Sequence, residues 1–181
     1  MSKQLIAIAP QKAGLIDIEI PVVKSDEVRV RIEHASPKHG SELAAFRNES
    51  PHIGEYYDEN WRAFLPRSQT VEGHGKFGKW NLGNQWVGLI TEVGSDVHEY
   101  ALGDRVCGYG GIREDYVIKA VDNYYLKKVP EGMSWQNAVC FDPAQFALGG
   151  IRDGQLRAGD TVAIFGLGAI GQIAAQMAKL A

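Results

Sequence analysis

"TVAIFGLGAIGQIAAQMAKLA" occupies residues 161–181. An apolar run, "TVAIFG" (161–166), precedes a glycine-rich turn, and a helix of small residues follows it. The run reads as a strand of the kind buried on both faces. "GLGAIG", from Gly166 through Leu167, Gly168, Ala169 and Ile170 to Gly171, fits G-x-G-x-x-G. The mechanism of that motif needs a strand directly before it and a helix directly after it, and both are written here. Gly166 permits the tight turn, Gly168 lets the backbone approach a pyrophosphate, and Gly171 lets the helix pack close. The helix N-terminus then offers free N–H groups and a positive dipole end to phosphate. A structural glycine turn between strand and helix is the competing reading.

The acidic residue that grips a ribose would fall about 20 residues further on, past Ala181. One strand and one helix do not make a doubly wound sheet. The expectation is therefore a chain that forms the N-terminal part of a longer enzyme.

Upstream of this segment the pattern differs. "QLIAIA" (4–9), "LIDIEIP" (15–21) and "DEVRVRIEHA" (26–35) alternate apolar and polar residues, with "KAG" and "VKSD" as turns. Val28, Val30 and Ile32 share one face, while Arg29, Arg31 and Glu33 share the other, as in a half-buried antiparallel strand. Residues 36–85 read as an irregular surface stretch in which "GSELAAFRN" (40–48) forms two helical turns. Strand character returns in "WVGLITEVG", "DRVCGYG", "EDYVIKA" and "YYLKKVP". Short strands at this spacing predict a small barrel. After Pro130 the spacing becomes helical, with Ser134 as N-cap and an interruption at Pro143. The fold class is mixed, all-β changing to α/β near residue 143.

Composition excludes several functions. The chain has 181 residues, 45% apolar and 23% charged, with a net charge of −3. No basic excess exists to neutralise a nucleic-acid backbone or an anionic membrane surface. Cys107 and Cys140 are the only cysteines, too few and too far apart for a disulfide framework or a sulfur-rich zinc knot. No apolar run approaches the ~18 residues of a membrane span. The N-terminus lacks the long apolar region of a signal peptide, so a cytoplasmic protein is expected.

A strand-rich N-terminal domain followed by a dinucleotide turn resembles the medium-chain dehydrogenase/reductase family, the zinc alcohol dehydrogenase-like enzymes. The resemblance rests on "VGLITEVGSDVHEYALGDRVCGYG" (87–110), "DPAQFALGGIRDGQLRAGDTVAIFGLGAIG" (142–171) and "HGSEL" (39–43). It implies a GroES-like β-barrel substrate domain over 1–142 and the start of a Rossmann dinucleotide-binding domain over 143–181. It also implies NAD or NADP as cofactor and a small alcohol or carbonyl as substrate. A homo-oligomer is implied for the full-length enzyme.

The same resemblance places His39, Asn84 and Asp142 where zinc-dependent members hold catalytic zinc, and Ser41 where the family relays a proton. Asn84 stands in "Gly-Asn-Gln", where those members have Gly-His-Glu. A neutral amide is a poor zinc donor, so zinc is not expected. His39, Ser41, Asn84 and Asp142 are then candidate catalytic residues with no metal assigned to them. Their competing structural readings are a satisfied histidine for His39 and helix N-caps for Ser41 and Asp142. His74 is a second Gly-His match, at a spacing too long for the family pattern. His34, His52 and His98 are read as surface or packing residues. The alternative function is a non-catalytic dinucleotide-binding protein, or an inactive fragment of such an enzyme.

Overall fold

The computed structural model describes residues 1–49, 54–66 and 77–181. His52 and His74 lie outside them. The described elements are β1 (Ser2–Ala9), β2 (Lys12–Ile18), β3 (Glu27–Ser36), α1 (His39–Phe46), β4 (Glu55–Asp58), β5 (Ala63–Pro66) and β6 (Trp80–Asn81). They continue with β7 (Gln85–Val93), β8 (Arg105–Tyr109), β9 (Asp115–Lys119), β10 (Lys127–Lys128), α2 (Trp135–Ala138), α3 (Phe141–Asp153) and α4 (Ala169–Leu180). They form two compact units, Met1–Val129 and Pro130–Ala181. The division falls ahead of the helical segment, because α3 packs with α4.

In the first unit the strands lie in three antiparallel sheets among the described residues. Their orders are β2-β1-β6, β10-β8-β7-β3-β9 and β4-β5. The short segment 111–114 joins the two larger sheets. The Leu5 N–H donates to the Ile112 carbonyl at 2.8 Å, and the Ile32 N–H donates to the Glu114 carbonyl at 2.8 Å. The alternation read in β3 is borne out: Val28 and Val30 are fully buried, and Arg31 on the opposite face is exposed. These valines pack with Trp86, Ile90, Val106 and Leu126. Trp86, wholly buried, stacks on Tyr116 with ring centroids 5.2 Å apart. Its Nε1–H donates to the Tyr109 carbonyl at 3.0 Å, so the indole is packed without an orphaned donor.

The stretch expected to be irregular contains α1, as predicted, and also the hairpin β4–β5. Tyr57 pairs with Phe64 in register, their rings edge to face at 5.3 Å. Asp58 Oδ1 accepts the N–H groups of Asn60 (2.9 Å) and Trp61 (3.0 Å) and so folds the turn. Strands this short leave too few alternations to register as a period.

The second unit corrects three expectations. Pro143 does not interrupt the helix: α3 runs through it, and the break comes at Val139 and Cys140. In the first turn an absent N–H removes nothing, because that group has no intrahelical partner. Asp142 is not an N-cap; that position belongs to Cys140, and Asp142 lies within the first turn, buried. A negative side chain there suits the positive end of the helix. Residues 161–166 carry no ladder, and Val162 and Phe165 are exposed, 41% and 96%. A strand exists by pairing, and no described strand pairs with this one. Ser134 caps α2 as expected, its Oγ accepting the Asn137 N–H at 3.1 Å.

Candidate functional site

Two constellations carry the candidate residues. In the first unit β3 ends at Ser36, and the chain turns through Pro37 and Lys38 into α1. His39 is the first residue of that helix. Ser41 is not its N-cap. Lys38 holds that position, and the N–H of Ser41 donates to the Lys38 carbonyl at 2.9 Å inside the first turn. The Ser41 side chain is exposed.

Asn84 reaches the same place from a distant part of the sequence. Ser36 pairs with Gln85 in the β3–β7 register, and Gln85 pairs with Tyr109 in the β7–β8 register. The Asn84 N–H donates to the Ser36 carbonyl at 3.0 Å, and its own carbonyl accepts the Gly110 N–H at 2.9 Å. Its side-chain Nδ2 donates to Gln85 Oε1 at 2.8 Å. Gly83, just before it, has φ +107°, a left-handed value that glycine adopts without a Cβ penalty. The structure thus brings the segment of His39 and Ser41 beside the segment of Asn84. Asp142 belongs to α3 in the second unit.

Sequence reasoning passed over Glu42. Its Oε2 accepts the Lys38 N–H at 2.6 Å, and its Oε1 accepts the Gly83 N–H at 2.8 Å. The acid four residues after the cap was a signal for the first bond; nothing local announced the second. Glu42 also lines a pocket of about 220 Å³ with Leu5, Pro37, Leu43, Phe46, Leu82 and Ile112. Among the described residues no three His, Cys, Asp or Glu side chains gather as a metal site.

The glycine turn of the second unit has the helix its motif requires after it, though among the described residues no paired strand comes before it. Gly166 takes φ +92°, and Gly168 is the extended N-cap of α4. The first helical bond runs from the Gln172 N–H to the Gly168 carbonyl at 2.9 Å. The N–H groups of Ala169, Ile170 and Gly171 precede it, in the part of a helix that leaves donors for a ligand. Gln172 Nε2 donates to the Leu167 carbonyl at 2.8 Å and steadies the turn.

No helix among the described residues is long and apolar enough to cross a membrane. No protein-family model matches the chain. The chain is 51% identical over 179 residues to D-guloside 3-dehydrogenase of Escherichia coli K12, covering 99% of this chain and 51% of that one. It is 30% identical over 126 residues to (R,R)-butanediol dehydrogenase of Bacillus subtilis, covering 55% of this chain and 36% of that one. Among solved structures, 2R,3R-butanediol dehydrogenase from Bacillus subtilis matches with a TM-score of 0.71 at 20% identity, over 99% of this chain and 55% of that one. That likeness is one of fold. The chain spans about half the length of the D-guloside 3-dehydrogenase it matches.

Proposed function

We propose that this chain belongs to the medium-chain dehydrogenase/reductase family and works in an NAD(P)-dependent oxidoreductase acting on an alcohol or carbonyl substrate. The observation that carries the reading is the turn at Gly166–Gly171, in a chain half identical to a dehydrogenase. A left-handed Gly166, an extended Gly168 and the leading N–H groups of α4 fit a dinucleotide pyrophosphate. When bound, the nicotinamide supplies the hydride chemistry. In this reading residues 1–142 form a GroES-like substrate domain, and residues 143–181 begin a Rossmann domain.

The chain's own residues orient the substrate and handle its proton. Ser41 both donates and accepts, which suits a relay that takes the proton from an alcohol oxygen or returns it. The amide of Asn84 offers a hydrogen-bonding group to that same oxygen, and His39 begins the neighbouring segment at the start of α1. The donor chemistry does not fit a catalytic zinc. Asn84 offers only an amide oxygen, and its nitrogen is committed to Gln85. We therefore assign the chemistry to a zinc-free site. By analogy with D-guloside 3-dehydrogenase, the substrate is a secondary hydroxyl of a glycoside. The full-length enzyme is read as a cytoplasmic homo-oligomer.

The test is direct. Full-length protein is given methyl glycosides with NAD or with NADP, and nicotinamide absorbance is followed. Reduction of one cofactor, intact after chelator treatment, is expected. Failure to bind or reduce either cofactor overturns the dehydrogenase reading. Stoichiometric zinc, lost together with activity on chelation, overturns the zinc-free reading.

A further inference from the structure

We propose that Glu42 is the positioning residue of the candidate site. Its carboxyl group clamps the start of α1 to the Gly83–Asn84 turn, and so sets the spacing between His39 and Ser41 on one segment and Asn84 on the other. The proposal rests on the reading that Ser41 and Asn84 act on the substrate.

The two oxygens are divided between two segments. One accepts the N–H of Lys38, directly ahead of His39, and the other accepts the N–H of Gly83, directly ahead of Asn84. The second bond spans 41 residues of sequence. The two bonds measure 2.6 and 2.8 Å. Lys38 has no side-chain capping bond of its own, so the α1 terminus draws its acceptor from Glu42.

The surroundings raise the stakes of these bonds. Pro37, Leu43, Phe46 and Leu82 line the adjoining pocket, and none brings a polar side chain. Hydrogen bonds strengthen beside apolar walls, and a donor left unpaired there is costly. The Glu42 carboxyl group ties the main chain of one segment to that of the other.

The length of the side chain matters. Aspartate would fall short by one carbon–carbon bond, about 1.5 Å, and could keep at most one bond, which no longer ties the two segments together, so both loosen. Glutamine keeps the length but turns an NH2 donor toward one of two N–H donors. A residue that only capped α1 would need the Lys38 bond alone.

The experiment compares full-length wild type with Glu42→Gln and Glu42→Asp, each by amide hydrogen exchange, NAD(P)H titration and steady-state kinetics. In both variants exchange is expected to rise at least tenfold in the 83–85 segment as well as at 38–42. The kcat is expected to fall at least tenfold, with cofactor affinity unchanged within twofold. Faster exchange confined to 38–42, with kcat within twofold of wild type, reduces Glu42 to a helix cap and overturns the proposal. Equal losses in cofactor affinity and kcat mark general damage and overturn it as well. If wild-type protein oxidises none of the methyl glycosides, the functional reading fails alone. The exchange arm then decides the clamp: it stands if both segments respond and falls if only 38–42 does. If Glu42→Gln does not fold, Glu42→Asp is read by the same criteria.

Discussion

Gly171 lies against the carbonyl of Gly166, so close that a Cβ on Gly171 would overlap that oxygen. The contact is backbone to backbone, and no flexible side chain can give way. Gly171→Ala is therefore expected to open the turn and weaken dinucleotide binding by full-length protein at least tenfold, about 1.4 kcal/mol. Gly149→Ala is the control, because a Cβ there meets nothing within 4 Å. It is expected to keep affinity and to gain about 0.5–1 kcal/mol of stability in the α3 interior. NADH fluorescence titration of both variants reads the difference; equal dissociation constants would make the Gly166–Gly171 contact irrelevant to binding.

Trp86 fills the centre of the first unit's core, wholly buried, stacked on Tyr116 and bonded to the Tyr109 carbonyl. Trp86→Ala is expected to cost about 3–5 kcal/mol through lost contacts and the cavity left behind. Trp86→Phe retains a ring and should cost less. Urea denaturation of the two variants measures the gap, and a loss below about 1 kcal/mol for alanine would contradict this account of the core.

Asp104 gives the protein a sensitivity to acid. Its Oδ2 accepts from Lys128 Nζ at 2.7 Å and from the Ala101 N–H at 2.8 Å. These bonds, Lys128 first, hold its carboxyl below the ordinary aspartate range. The folded value is thus lower than the unfolded one, about 3.9. The stabilisation is fully present above the unfolded value and is lost as pH falls through the folded one. Asp104→Asn should cost about 0.5–1 kcal/mol at neutral pH and almost nothing once Asp104 is protonated in the folded wild type. Thermal melts along a pH series check this; a gap that persists in acid would refute it.

The two thiols should react at different rates. Burial pushes the Cys107 thiol up, which depletes the reactive thiolate, whereas Cys140 is exposed. A disulfide reagent applied to this 181-residue chain is expected to label Cys140 first, and Cys107 only on unfolding. Peptide mapping after brief labelling reads the order, and early modification of Cys107 would show that its strand opens in the native state.

What the sequence determined by itself is what adjacent residues settle among themselves. Val28 and Val30 are buried because alternation is a property of one strand, whatever its partners. The Ser134 cap and the bend at Gly166 depend on a few neighbouring residues, so residue type alone announced them. The tertiary structure decided the rest, because those features need a partner from elsewhere in the chain. The apolar run at 161–166 has strand character but no ladder, since a ladder needs a second strand. Pro143 breaks a helix or opens one according to where the preceding turn ends, and Cys140, as the N-cap, fixed that. Glu42 reads as an ordinary acid in a short helix. Only the pairing of β3 with β7, which sets Ser36 opposite Gln85, carries Gly83 to its second oxygen. That juxtaposition depends on strand register, a property of the folded sheet that no single segment holds.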